Sequence, residues 1–131
     1  MYIFAGGGSG GHLYPGISVA QFLHEKQPDA EIVFLCTRRA IDKKILDSYP
    51  WRQVPQPITP LPKNPLLIPQ FLLNWYKSCK LTEELCQEDP DRLAVCGLGG
   101  FASGAALKTA RKLNVPTAML NPDAVPGKAN K

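Results

Sequence analysis

The chain has 131 residues, 44% of them hydrophobic and 20% charged, enough for one domain with its own core and too few for two. Fifteen Lys and Arg against eleven Asp and Glu give a formal charge of +4, too mild and too scattered to argue for a nucleic-acid partner. Met1 leads straight into an apolar run, without the basic region, apolar core and cleavage site of a secretory signal, so a cytoplasmic protein is expected. Cys36, Cys79, Cys86 and Cys96 form no CxxC pair and have no histidine at zinc-ligand spacing, so they read as reduced thiols with no metal.

In chain order, "YIFAG" at 2–6 is an apolar run ending in glycine, the pattern of a parallel strand buried on both faces. Pro15 fits the first turn of a helix that continues to about Lys26. "AEIVFLC" at 30–36 is a second buried strand, and 38–49 is a polar-faced helix with Ile41, Ile45 and Leu46 directed inward. Five prolines between 51 and 65 predict a short strand near Arg52 to Val54 and then an irregular connector. The apolar segment 64–76 runs on as a helix to about Glu88, stopped by Asp89-Pro90. "RLAVCGLGG" at 92–100 repeats the strand-into-glycine theme, followed by a helix over 103–114 and a last strand over 116–121. This alternation predicts an α/β domain with an open, mostly parallel sheet and helices on both faces.

Two glycine loops carry the chemistry. In "FAGGGSGGHLYPG" at 4–16, Gly6, Gly8 and Gly11 satisfy G-x-G-x-x-G between a strand and a helix. Without Cβ atoms, successive N–H groups can line a concavity beside a positive helix N-terminus, which suits a phosphate or diphosphate. A dinucleotide enzyme would also place an acidic residue at the end of the second strand, where this chain reads "FLCTRR". Arg38 or Arg39 could instead meet a 2′-phosphate, so an NADP-dependent oxidoreductase is one alternative. A tight turn without ligand is another. The second loop, "GLGGFASG" at 97–104, falls at the carboxyl end of another strand, so both loops could grip one extended anion. His12 directly follows the first loop, at the start of the helix, and is the candidate general base.

Leu67, Phe71, Leu72 and Trp75, with Leu66, Ile68, Leu73 and Tyr76, cover more than one helical face and are flanked by Lys63, Lys77 and Lys80. One reading is a core helix. The other is an apolar surface resting on an anionic membrane.

"GGSGGHLYPG" resembles the "GGTGGHxxP" signature of the MurG-type glycosyltransferases, which make the second lipid-linked peptidoglycan precursor. "GLGGFASGAAL" is similar to that family's second glycine loop, of the form GGYxSGP, and "VPGKANK" to the segment after its fifth strand. The resemblance spans the whole chain and implies the Rossmann-like amino-terminal, acceptor-binding half of an inverting GT-B enzyme. Such an enzyme transfers N-acetylglucosamine from UDP-GlcNAc, held by a second domain that this chain does not match, to a lipid-diphosphate-linked sugar. The 131 residues would then be an excised domain or a membrane-recruiting subunit with a separate donor-binding partner. No cofactor is implied, and the protein would be peripheral on the inner face of the cell membrane. Gly7, Gly8, Ser9, Gly10 and Gly11 together with Gly99, Gly100 and Ser103 would hold the acceptor's diphosphate, and His12 would be the base. Phe101, Asn121 and Asn130 would line the cleft between domains. Three departures stand out: Ser9 for Thr, Phe101 for Tyr, and Leu120-Asn121-Pro122-Asp123 where the family reads "HEQN". Asp123 is left as the substitute carboxylate, either as base or as partner to His12.

Overall fold

A computed structural model describes residues 1–121. The strands are β1 (Tyr2–Ala5), β2 (Ile32–Thr37), β3 (Arg52–Gln56), β4 (Ala94–Gly97) and β5 (Thr117–Met119). They form one parallel sheet in the order β3-β2-β1-β4-β5. The helices are α1 (Gly10–Lys26), α2 (Ala40–Leu46), α3 (Ile68–Glu88) and α4 (Gly104–Lys112), with a short 3₁₀ turn at Pro65–Leu67.

Alternation along the central strands sends side chains to two cores. Ile3, Ala5, Val33, Leu35 and Val95 meet Leu85 and Cys86 of α3 and Ala106 and Ala110 of α4 on one face. Phe4, Ile32, Phe34 and Cys36 meet Leu13, Ile17 and Ala20 of α1 and Ile45 and Leu46 of α2 on the other. All six residues of β2 are buried, as expected of a strand covered on both faces. Among the described residues no helix is long and apolar enough to cross a membrane.

The chain runs from β1 outward to β3, then returns to the other side of β1 for β4 and β5. The carboxyl ends of β1 and β4 therefore flank the point where the winding reverses, the crevice in which open α/β sheets bind ligands.

Two expectations are corrected. Helix α1 begins at Gly10, five residues before Pro15, which lies inside the helix. The N–H that Pro15 lacks would have paired with the Gly11 carbonyl, and Gly11 is exposed, so water can satisfy that carbonyl. In α2, Ile41 faces outward at 43% exposure while Asp42 is fully buried. The inward position is taken by a carboxylate because it has three donors to meet, two of them buried, described below.

Candidate functional site: two glycine loops joined at the sheet edge

Loop 1, after β1, turns through Gly7 (φ +141°) and Gly8 (φ +86°), conformations that side chains rarely adopt. The turn is held from outside. Both Asp42 oxygens accept from the Gly8 N–H at 2.8 and 3.0 Å, and Oδ2 also accepts from the Thr37 N–H at 2.9 Å and from the Thr37 hydroxyl. A Cβ on Gly7 would lie 2.1 Å from that same oxygen. Arg39 completes the brace: its Nη1 donates to the Gly8 carbonyl at 3.3 Å, and its guanidinium lies 5.5 Å from the Phe101 ring centre.

With Gly8 committed to Asp42, the first loop offers the N–H groups of Ser9, Gly10 and Gly11, which find no acceptor among the described residues. They stand at the N-terminus of α1, where the helix dipole favours an anion. Ser9 is the N-cap, and its hydroxyl leaves the helix backbone uncapped to meet the His12 ring, Oγ to Nδ1 at 2.9 Å. Nε2 of His12 makes no hydrogen bond among the described residues.

Loop 2, after β4, turns through Gly99 (φ +91°) and Gly100 (φ +70°). Its brace is local: Ser103, only 1% exposed, donates its hydroxyl to the Gly100 carbonyl at 3.1 Å. Ser103 therefore shapes the loop, and its hydroxyl is not presented at the surface. A Cβ on Gly100 would sit 3.2 Å from Cε1 of His12, so a side chain here would press on the imidazole that now lies against this backbone. His12 thus touches both loops, and the Arg39–Phe101 stack bridges them a second time.

Asn121 is half-buried just after β5, at the same carboxyl edge of the sheet. Asp123 and Asn130 lie outside the described residues. Along the 3₁₀ turn and α3 the candidate membrane residues divide. Leu67 and Leu72 are exposed at 53% and 57%, with Leu66, Ile68, Leu73 and Tyr76 beside them. Phe71 and Trp75 are half-buried, with ring centres 6.1 Å apart, and Trp75 packs with Ile58, Ala102 and Ala105 beneath loop 2. Trp75 thus supports the loop with its indole while remaining partly exposed.

Sequence reasoning passed over Asp42 and Thr37. The signal was present, as an acidic residue in the first turn of α2 just after β2, but a carboxylate was sought at the strand end to bind ribose. Here it is turned back onto the protein's own glycine loop.

Residues 2–131 match the glycosyltransferase family 28 N-terminal domain. The chain belongs to that family. It is 36% identical, over 98% of its length, to a curated relative from Carboxydothermus hydrogenoformans named UDP-N-acetylglucosamine–N-acetylmuramyl-(pentapeptide) pyrophosphoryl-undecaprenol N-acetylglucosamine transferase. The identically named protein of Bdellovibrio bacteriovorus is also 36% identical over 98% of the chain. The chain spans 35% and 36% of those two proteins, about a third of their length. Among solved structures, MurG of Acinetobacter baumannii superposes with a TM-score of 0.76 at 22% identity, over 98% of this chain and 37% of that one. A UDP-bound Siraitia grosvenorii transferase gives 0.60 at 19% identity, over 92% and 27%. The fold is the Rossmann-like amino-terminal half of the GT-B architecture. The NADP-dependent alternative finds no support in these comparisons.

Proposed function

We propose that this chain is the acceptor-binding domain of a transferase that moves N-acetylglucosamine from UDP-GlcNAc to a sugar hydroxyl on a lipid-linked diphosphate, the step that turns the first lipid-linked peptidoglycan precursor into the second. The observation that carries the reading is the meeting of both glycine loops at His12, at the switch point of the sheet. The free N–H groups of Ser9, Gly10 and Gly11 suit one phosphate of the acceptor.

In the base-competent tautomer, Nδ1–H of His12 donates to Ser9 Oγ and Nε2 keeps its lone pair. Nε2 then takes the acceptor's hydroxyl proton as that oxygen bonds to the anomeric carbon and the bond to UDP breaks, inverting the centre. The donor would be held by a second domain, as the fuller length of the relatives suggests. Ser9, already at Nδ1, fills the role of ring partner for which Asp123 was a candidate.

The test is a transferase assay on the full-length protein with UDP-GlcNAc and lipid-linked acceptors differing in their first sugar. Turnover with the muramyl-pentapeptide acceptor supports the reading, and absence of turnover with any lipid-diphosphate sugar refutes it. For the membrane surface, Leu72→Glu should change stability by less than about 0.5 kcal/mol while abolishing binding to anionic vesicles. Unfolding by Leu72→Glu would assign α3 to the core instead.

A further inference from the structure

A cleft of about 450 Å³ lies beside the loops, lined by Arg38, Arg39, Gln56, Phe101, Gln70 and Asn74 among others. It has had no role so far. Resting on the acceptor-domain reading, we infer that this cleft takes the lipid-proximal phosphate of the acceptor, with Arg39 as its principal ligand and Arg38 as a weaker second.

The argument is one of donors, charge and direction. Loop 1 has given its Gly8 N–H to Asp42, and the three N–H groups left at Ser9 to Gly11 satisfy one phosphate. A lipid-sugar diphosphate carries two charges, and the fully buried Asp42 carboxylate directly behind the loop adds a third of the same sign. Backbone amides alone are a poor match for that total, so a cation is needed beside the loop. Arg39 is that cation. It is held by the Gly8 carbonyl and the Phe101 face, and the one Nη1 bond leaves its other N–H donors available. A guanidinium fixed in this way loses little freedom on binding.

The walls of the cleft supply the direction. Gln56 is fully buried and ties the strands to loop 2, its Nε2 donating to the Leu35 and Ala102 carbonyls at 3.3 and 2.7 Å. Gln70 and Asn74, hydrogen-bonded to each other at 3.0 Å, belong to α3, whose Leu66, Leu67, Leu72 and Leu73 neighbourhood is exposed and apolar. A molecule with a sugar phosphate on loop 1 and its lipid on the α3 surface would pass its second phosphate through this cleft.

The test is calorimetry of the full-length protein with three soluble probes: geranyl diphosphate, geranyl monophosphate and inorganic pyrophosphate. The wild type should bind geranyl diphosphate at least about tenfold more tightly than either other probe. Arg39→Gln should lower affinity for both the diphosphate and the monophosphate about tenfold, since each carries the lipid-proximal phosphate; Arg39→Lys should recover part of the loss, and Arg38→Gln should cost about threefold. An Arg39→Gln protein that keeps its affinity for the monophosphate, whatever happens to the diphosphate, overturns the assignment and leaves Arg39 a brace of loop 1. Equal affinity for inorganic pyrophosphate would make this a free-anion site and overturn it also. A wild type that binds none of the three defeats the acceptor-domain reading itself.

Discussion

The two glycine loops occupy equivalent places, at the carboxyl ends of β1 and β4, yet they are held in opposite ways. Loop 1 is shaped by residues some thirty positions downstream, with Asp42 and Arg39 gripping Gly8 from its two sides. Loop 2 is shaped by its own Ser103, three residues from the carbonyl it holds. The loop beside His12 thus depends on contacts from the end of β2 and from α2, while the other is a local turn against which the imidazole rests. A buried carboxylate fixes backbone well but leaves a negative charge under the loop, and the Arg39 guanidinium lies on the other side of the same glycine.

Four substitutions sharpen or break this contrast. Gly7→Ala should be the most damaging, since its Cβ would fall 2.1 Å from Asp42 Oδ2 at a φ of +141°. A loss of about 3 kcal/mol or more, read as a melting point lowered by about 10 °C, is expected. A much smaller fall would show that Asp42 moves easily and does not clamp the loop.

His12→Ala should lower turnover of the full-length enzyme about 10²-fold with little change in melting. If turnover falls by less than tenfold, the imidazole positions substrate and another group takes the proton. Gly100→Ala should cost only about 1 kcal/mol at its φ of +70°. It should still reduce turnover about tenfold, because the new methyl displaces a ring whose Cε1 is 3.2 Å away. Equal destabilisation by Gly7→Ala and Gly100→Ala would erase the distinction between the loops.

Arg52→Ala, remote from both loops, is the control. Its exposed pairs with Glu88 and Glu31 should be worth less than about 1 kcal/mol, measured by denaturant titration. Arg52 holds the Glu88 carboxyl below its ordinary value of 4.5, so the pair's contribution is complete above that pH. It is lost as the pH falls through the lowered value, and the Arg52→Ala protein should lack that portion of the acid dependence.

Much of this was legible along the chain. Strands β1, β2 and β4 stood out as short apolar runs between glycines, and the end of α3 at Glu88 was marked by Asp89-Pro90. The start of α1 was misplaced because Pro15 signals a first turn, and only the exposure of Gly11 shows why a proline is tolerated deeper in the helix. Trp75 carried the signature of a membrane anchor but packs beneath loop 2, since a periodic apolar stripe wider than one face does not say which part will be covered.

By itself the sequence determined the class of fold, the two glycine loops, and the place of a histidine, His12, directly after the first, because periodicity, glycine spacing and turn chemistry are local properties of the chain. Tertiary structure alone decided that Asp42 clamps loop 1, that Arg39 and Phe101 bridge the loops, and that the Ser9 hydroxyl faces Nδ1 of His12. These contacts join residues brought together by the order of strands in the sheet, and no pattern along the chain encodes which donor a buried carboxylate will find.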